Sequence, residues 1–149
     1  MFDHFAVGLT LPQLGEHVSR SAVRSFCERA EAVGFESLWA QEHLFFALEP
    51  SAPYAARPGM PVPQAYRCTM SPLELLAAAA AWTERAVLGT GILVAGYHRP
   101  VELAQRLATL DHLCDGRLIV GLSVGWSKDE HEQMDVDFHS RGRRMDELV

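Results

Sequence analysis

The stretch from Val87 to Val124 reads VLGTGILVAGYHRPVELAQRLATLDHLCDGRLIVGLSV. Two runs of strand length, Val87-Leu-Gly-Thr-Gly-Ile-Leu-Val94 and Arg117-Leu-Ile-Val-Gly-Leu-Ser-Val124, flank a segment of helical period. Runs that stay apolar instead of alternating suit strands covered on both faces. Pro100 fits the first turn of the intervening helix, with Val101, Leu103, Ala104, Leu107 and Leu110 expected inside. Asp115-Gly116 turns the chain into the second run. Strand, helix, strand is the parallel βαβ unit.

The alternation extends in both directions. Phe5-Ala-Val-Gly-Leu9 is the first strand candidate, followed by a loop with Pro12 and Gly15. From Ser21 onward, Ala22, Val23, Phe26, Ala30 and Val33 recur on one helical face, and Gly34 occupies a C′ position. Ser37-Leu-Trp-Ala-Gln41 is the second strand. Ser71-Pro72-Leu73-Glu74 combines a capping serine, a proline at the first helical position and a glutamate at N3, predicting a helix to about Thr83. Short helices are expected from Lys128 and from about Ser140. Leu44 to Met70, with five prolines, and Gly125 to His139, strongly acidic, read as loops. The expectation is one α/β domain over residues 1–149 with four βα units. Two architectures fit, an open doubly wound sheet or part of a barrel, and in both function gathers at the strand C-termini.

Composition narrows the function classes. The 149 residues are 48% hydrophobic and 21% charged, which is globular and not disordered composition. A net charge of −6 gives no basic footprint for nucleic acid or an anionic membrane surface. Cys27, Cys68 and Cys114 are odd in number and widely spaced, as expected of reduced thiols. Met1-Phe2-Asp3-His4 carries an acid and no long apolar run, so no signal peptide is expected. The block Leu75 to Trp82 is too short to span a bilayer. A cytoplasmic protein is the expectation.

Several residues could carry chemistry at the strand ends. Glu42 and His43 follow the second strand, an acid beside an imidazole that can move protons near neutral pH. Anchoring the long loop is their structural alternative. Gly89-Thr90-Gly91 places glycine within a buried strand, which marks a bulge, a close ligand approach, or packing against a helix. The next glycine is Gly96, so the spacing departs from the dinucleotide fingerprint. Ser127 and Glu130 fit a capping box, and the helix start at Gly125-Trp126-Ser127 could meet a phosphate, with Asp129 and Glu130 opposing an anion. Gly121-Leu-Ser-Val-Gly125 matches the hydrolase elbow, but Ser123 lies inside the strand pattern and its candidate partners Asp135, Asp137 and His139 crowd within a few residues. The same three residues are weak metal ligands, better read as a solvated turn, and no metal is expected.

Taken together, the segments resemble the luciferase-like monooxygenase superfamily, and in particular its deazaflavin-dependent branch. The matching pieces are Gly34-Phe-Glu-Ser-Leu-Trp39 with Glu42-His43, Leu88-Gly-Thr-Gly-Ile-Leu-Val94, His98-Arg-Pro-Val101 and Leu107-Ala-Thr-Leu-Asp111. Gly116-Arg117-Leu118, Val120-Gly-Leu-Ser-Val-Gly-Trp126 and Arg141-Gly-Arg-Arg-Met-Asp-Glu147 complete them, in order across nearly the whole chain. The resemblance implies a TIM-like (β/α) barrel with a cofactor ring over the strand ends. It implies coenzyme F-420, a deazaflavin, with FMN as the alternative, and hydride transfer to or from a small organic substrate. An FMN-dependent luciferase-like monooxygenase and a non-catalytic half-barrel binding module are the alternative functions.

By the same resemblance His43 is a cofactor-proximal histidine; from their place beyond the strand end His43 and Glu42 are the catalytic candidates, with Glu42 orienting His43. His43, Thr90, Gly91, Ile92, Gly125, Trp126 and Ser127 are the cofactor-binding candidates. Gly91-Ile92 matches a bulge with a non-proline cis peptide beneath the ring. Trp126 stands where some deazaflavin dehydrogenases carry an acid, a departure from their sugar-phosphate substrate and general-acid chemistry. A full barrel needs about 200–250 residues, so four units predict a half-barrel that pairs as a homodimer or with a missing C-terminal half.

Overall fold

The computed structural model describes residues 6–51, 53, 54, 57 and 59–149. The expected strand start at Phe5, like Met1-Phe2-Asp3-His4, lies outside the described residues. Strands β1 (Gly8–Thr10), β2 (Ser37–Ala40), β3 (Val87–Val94) and β4 (Leu118–Ser123) form one sheet. Helices α1 (Arg20–Ala32), α2 (Pro72–Ala80) and α3 (Pro100–Leu113) connect them, and α4 (Lys128–Gln133) and α5 (Arg141–Leu148) follow. All strand pairs are parallel and the spatial order is β1-β2-β3-β4. A doubly wound sheet reverses its strand order at a switch point. An order that simply follows the chain is that of a barrel wall.

Local chemistry sets the element ends. Ser19 caps α1 by accepting the Ala22 N–H at 3.2 Å, and Gly34, at φ +95°, closes it with Phe35 N–H returning to the Ala30 carbonyl. The buried stripe of α1 is Val23, Cys27 and Ala30, while Val33, expected inside, is exposed beyond the last turn. In α3, Leu103 and Leu110 are buried and Val101, expected inside, is exposed at the first turn. Ser71 departs from the expected capping box, because its hydroxyl bonds the Glu74 carboxylate and caps no backbone N–H. Helix α2 ends at Ala80, and Thr83 turns its hydroxyl back to the Ala79 carbonyl at 2.9 Å. Leu38, Leu88, Leu76, Val23, Cys27 and Ala79 form the core between sheet and helices. Among the described residues no helix is long and apolar enough to cross a membrane.

The two ends of the sheet serve different purposes. At the strand N-termini, Arg117 donates to the carbonyls of Cys114, Thr83 and Ala86 at 2.7–3.0 Å, tying the exits of α2 and α3 together. Nearby, Glu31 accepts the backbone N–H groups of Glu84, Arg85 and Ala86. Partial burial raises its pKa, but those bonds outweigh it and hold the carboxyl below the usual range. These contacts are structural. The strand C-termini are left free for another role.

On the face of the sheet away from α2, the Trp39 indole lies across Gly8 and Gly89, and its N–H donates to Ser37 at 2.8 Å. A methyl group at Gly89 would overlap the indole ring. Gly89→Ala is therefore expected to destabilise the chain by about 1–3 kcal/mol through overpacking. Combining it with Trp39→Leu should recover part of that loss, as urea melts of the single and double variants would show.

Strands β1 and β4 are the two edges of the sheet, and β4 exposes Ile119 (50%) and Val120 (37%). Neither strand carries the charge or proline that protects natural edges. We expect the 149-residue chain by itself to self-associate at low micromolar concentration in sedimentation velocity. A compact monomer with a cooperative melt overturns that expectation.

Candidate functional site

The end of β2 delivers Gln41, Glu42 and His43 to the rim of the sheet. Beside them β3 bulges: Thr90 pairs with Val120 and Leu93 with Leu122, so Gly91 and Ile92 together face Gly121. The peptide between Gly91 and Ile92 is cis, as the resemblance implied. The bulge deprives Gly121 of regular ladder partners, and the Thr90 hydroxyl replaces them. It donates to the Gly121 carbonyl and accepts the Gly121 N–H, both at 2.9 Å. Thr90, a cofactor-binding candidate, is thus 1% exposed and lies beneath the cavity floor instead of lining it.

Glu42 braces the same bulge. Its N–H donates to the Ile92 carbonyl at 3.0 Å, and its carboxylate accepts the Val94 N–H at 2.7 Å. The remaining capacity meets His98 Nε2 at 2.9 and 3.1 Å. Glu42 therefore does not orient His43. That role falls to Glu130, 87 residues away, whose Oε1 lies 3.2 Å from His43 Nδ1.

Glu130 is 2% exposed and its carboxylate also accepts the Leu44 N–H at 2.9 Å and the Tyr97 hydroxyl at 2.9 Å. Burial raises its pKa, but the bonds from His43, Leu44 and Tyr97 prevail and hold the carboxyl below the usual range. Burial and the Glu130 charge push the Tyr97 phenol up, so Tyr97 is the donor. An ionised carboxylate only accepts, so Nδ1 of His43 carries a hydrogen and Nε2 is left for the cavity.

After β4 the chain turns at Gly125, φ +73°, where a Cβ would stand 2.7 Å from Val94 Cγ1 and 2.9 Å from His131 Cε1. Glycine is required there by both backbone and space. His131 is wholly buried, with Nδ1 2.7 Å from the Ser127 carbonyl and Nε2 3.0 Å from the Val124 carbonyl, so it holds α4 against the end of β4. Ser127 caps α4 by accepting the Glu130 N–H at 3.3 Å. It is buried and does not line the cavity, and α4 is six residues long with Asp129 and Glu130 in its first turn. Asp129 accepts the Ser51 N–H at 3.1 Å, which ties the proline-rich loop to α4.

These elements enclose a cavity of about 420 Å3. Gly91 and Ile92 border it, with His43, Gly125 and Trp126 from the sequence candidates and Tyr54 and Tyr66 from the proline-rich loop. Ring contacts run from His43 to Tyr66 (4.6 Å between centroids), Tyr66 to Tyr54 (6.0 Å), Tyr54 to Trp126 (5.4 Å) and Trp126 to His43 (5.8 Å). Gln13, 1% exposed, holds the loop by bonding both backbone groups of Gln41 and the Met70 carbonyl. Sequence reading named no site role for Tyr54, Tyr66, His98 or His131, and took Glu130 as a capping residue and a charge opposing an anion, not as the partner of His43. Ser123 borders the cavity but has no histidine or carboxylate partner among the described residues, which removes the geometry a hydrolase elbow requires. Asp137 spends its carboxylate on the His139 N–H at 3.1 Å, as in a solvated turn.

The luciferase-like monooxygenase family model matches residues 1–149, and the chain belongs to that family. Limonene 1,2-monooxygenase from Rhodococcus erythropolis is 32% identical over 120 residues, which is 80% of this chain and 26% of that protein. The crystal structure of monooxygenase RslO1 from Streptomyces bottropensis matches with a TM-score of 0.75 at 27% identity, covering 97% of this chain and 41% of the other. The coenzyme F-420-dependent tetrahydromethanopterin reductase from Methanopyrus kandleri matches with a TM-score of 0.61 at 25% identity, covering 89% and 30%. The chain thus spans between a quarter and about two fifths of the length of these relatives.

Because the folded pKa of Glu130 is lowered, its ionised form contributes stability that is complete above the ordinary value of 4.5 and lost as pH falls through the lowered one. Glu130→Gln should cost about 2–4 kcal/mol at pH 7, where it removes a buried charged acceptor. That cost should shrink as pH falls below 4.5, since the protonated acid and the amide then resemble each other. Urea unfolding of both proteins at pH 7 and pH 3.5 checks the sign; a penalty independent of pH would contradict it.

Proposed function

We propose that the cavity holds the ring of a flavin-type cofactor, and that the chain supplies the ring-binding part of a two-electron oxidoreductase acting on a small organic substrate. The observation that carries this reading is the floor of Gly91 and Ile92, backbone laid bare in the middle of an otherwise buried strand. A flat ring can rest on such a floor, and the aromatic rings opposite suit a π system. Gly91 offers no side chain to hold a ring off the backbone, so the residues present fit the group. Such a cofactor, when bound, supplies the redox chemistry, while the protein supplies position and electrostatics.

Within this reading each residue has a defined task. Gly91 and Ile92 would be the backbone on which the ring rests. His43 presents Nε2 to the cavity, where it can hydrogen-bond the ring or hold a proton. Glu130 fixes the tautomer and orientation of His43, and Trp126 with Tyr66 limits the entry of water. Coenzyme F-420 with hydride transfer is the cofactor favoured by the sequence pattern, and one relative is named for that coenzyme. FMN with monooxygenation is the second reading, favoured by the relatives named as monooxygenases.

Parallel titration of the chain with FMN and with coenzyme F-420, followed by ring fluorescence, tests the reading. Saturable binding of either is expected, and the tighter one names the cofactor. His43→Ala should weaken that binding about tenfold, equivalent to about 1.4 kcal/mol. No binding of either ring, or affinity unchanged by His43→Ala, would overturn the assignment.

A further inference from the structure

We propose that the aromatic wall of the cavity selects an uncharged, flat organic substrate bearing a carbonyl or similar acceptor, which the Tyr54 hydroxyl engages, and rejects carboxylate or phosphate forms of such a molecule. This inference rests on the cavity being the ring site proposed above.

Three features of the wall support it. The rings of His43, Tyr66, Tyr54 and Trp126 form a closed circuit of edge-to-face contacts, with interplanar angles of 62–89°. The apolar faces and edges they offer favour a flat partner. Next, no lysine or arginine is among the described residues lining the cavity, whereas two carboxylates, Glu42 and Glu130, are. An anion entering here would shed its hydration without gaining a countercharge. Both carboxylates are already surrounded by donors, Glu130 by His43, Leu44 and Tyr97 and Glu42 by Val94 and His98, so neither is left to pair with a cation.

Hydrogen-bond accounting supplies the third feature. The Gln41 amide donates to the Tyr66 hydroxyl at 3.2 Å, and Tyr66 lies 3.2 Å from the Tyr54 hydroxyl. Burial, together with the bond to Tyr54, pushes the Tyr66 phenol up to about 12, so it keeps its proton, and either hydroxyl of the pair can donate to the other. The Tyr54 hydroxyl has no other partner among the described residues. The bond between the two hydroxyls uses one of their two hydrogens, so Tyr54 can accept from Tyr66 and turn its own hydrogen to a ligand. Ser51, held by Asp129, fixes the segment from which Tyr54 projects.

Three small probes of nearly equal shape separate the contributions: acetophenone (neutral, with a carbonyl), α-methylstyrene (neutral, without one) and benzoate (anionic). Binding to the 149-residue chain is read from the Trp126 indole N–H signal, assigned with Trp126→Phe, with and without the ring cofactor. Acetophenone should bind at least tenfold more tightly than benzoate. Tyr54→Phe should weaken acetophenone about fivefold or more and leave α-methylstyrene unchanged, a split that a loss of fold would not produce. Benzoate binding as tightly as acetophenone, an indifferent Tyr54→Phe, or no response to any probe would overturn the proposal. The cofactor titration on the same samples is scored separately. Ring binding without the charge preference refutes this inference alone, and the charge preference without ring binding refutes the cofactor reading alone.

Discussion

A single buried carboxylate joins the parts of this site. Glu130 collects hydrogens from His43, from the backbone at Leu44 and from Tyr97. These groups come from the end of β2 and from the turn after β3, while Glu130 itself sits on α4. A carboxylate buried to this degree is tolerated only when its lone pairs are filled. Three segments distant in sequence must therefore assemble together, or the charge is stranded. The arrangement also decides which nitrogen of His43 is free, which makes a structural requirement the source of the site's proton geometry.

The bulge in β3 poses the opposite problem, since it removes backbone partners instead of supplying them. Two neighbours repair the damage. Thr90 answers for Gly121, and Glu42 answers for Ile92 and Val94. Gly121 can only be glycine, because the displaced Thr90 carbonyl occupies the space of a side chain. The cavity floor is bare because its polar surroundings are satisfied from the sides and from beneath. Glu42 and Thr90 thereby support the site without having to touch what it binds.

Polar contacts at the two ends of the sheet differ in kind. Arg117 and Glu31, at the strand N-termini, bond mainly to backbone and lock helix exits to strand entries. At the C-termini side chains from distant segments also bond to one another, as His43, Tyr97 and Glu130 do, and they surround a cavity. This polarity is usual for parallel α/β folds, in which one end carries stability and the other binding. It explains how a proline-rich loop with little regular structure still contributes two rings to the wall. Gln13 and Asp129 hold it by its backbone neighbours.

The sequence by itself determined the order and type of the elements, because strand-length apolar runs, helical periods, Pro100 and Gly34 are local signals read within a few residues. It also placed His43, Gly125 and Trp126 at the strand ends, since position along a βα unit predicts which end a residue occupies, while the bulge at Gly91 and Ile92 inside β3 was what the resemblance implied. Helix faces were less legible: Val33 and Val101 look apolar in the periodicity, yet both lie in the exposed terminal turns of their helices. Only the tertiary structure decided the partners. Nothing near Glu130 in the chain announces a histidine 87 residues away, and nothing in the proline-rich loop marks Tyr54 and Tyr66 as wall residues. Periodicity reports which face of an element is buried. It carries no information about which distant donor fills a particular lone pair, because that depends on the distances set when the strands pair and α4 packs against them.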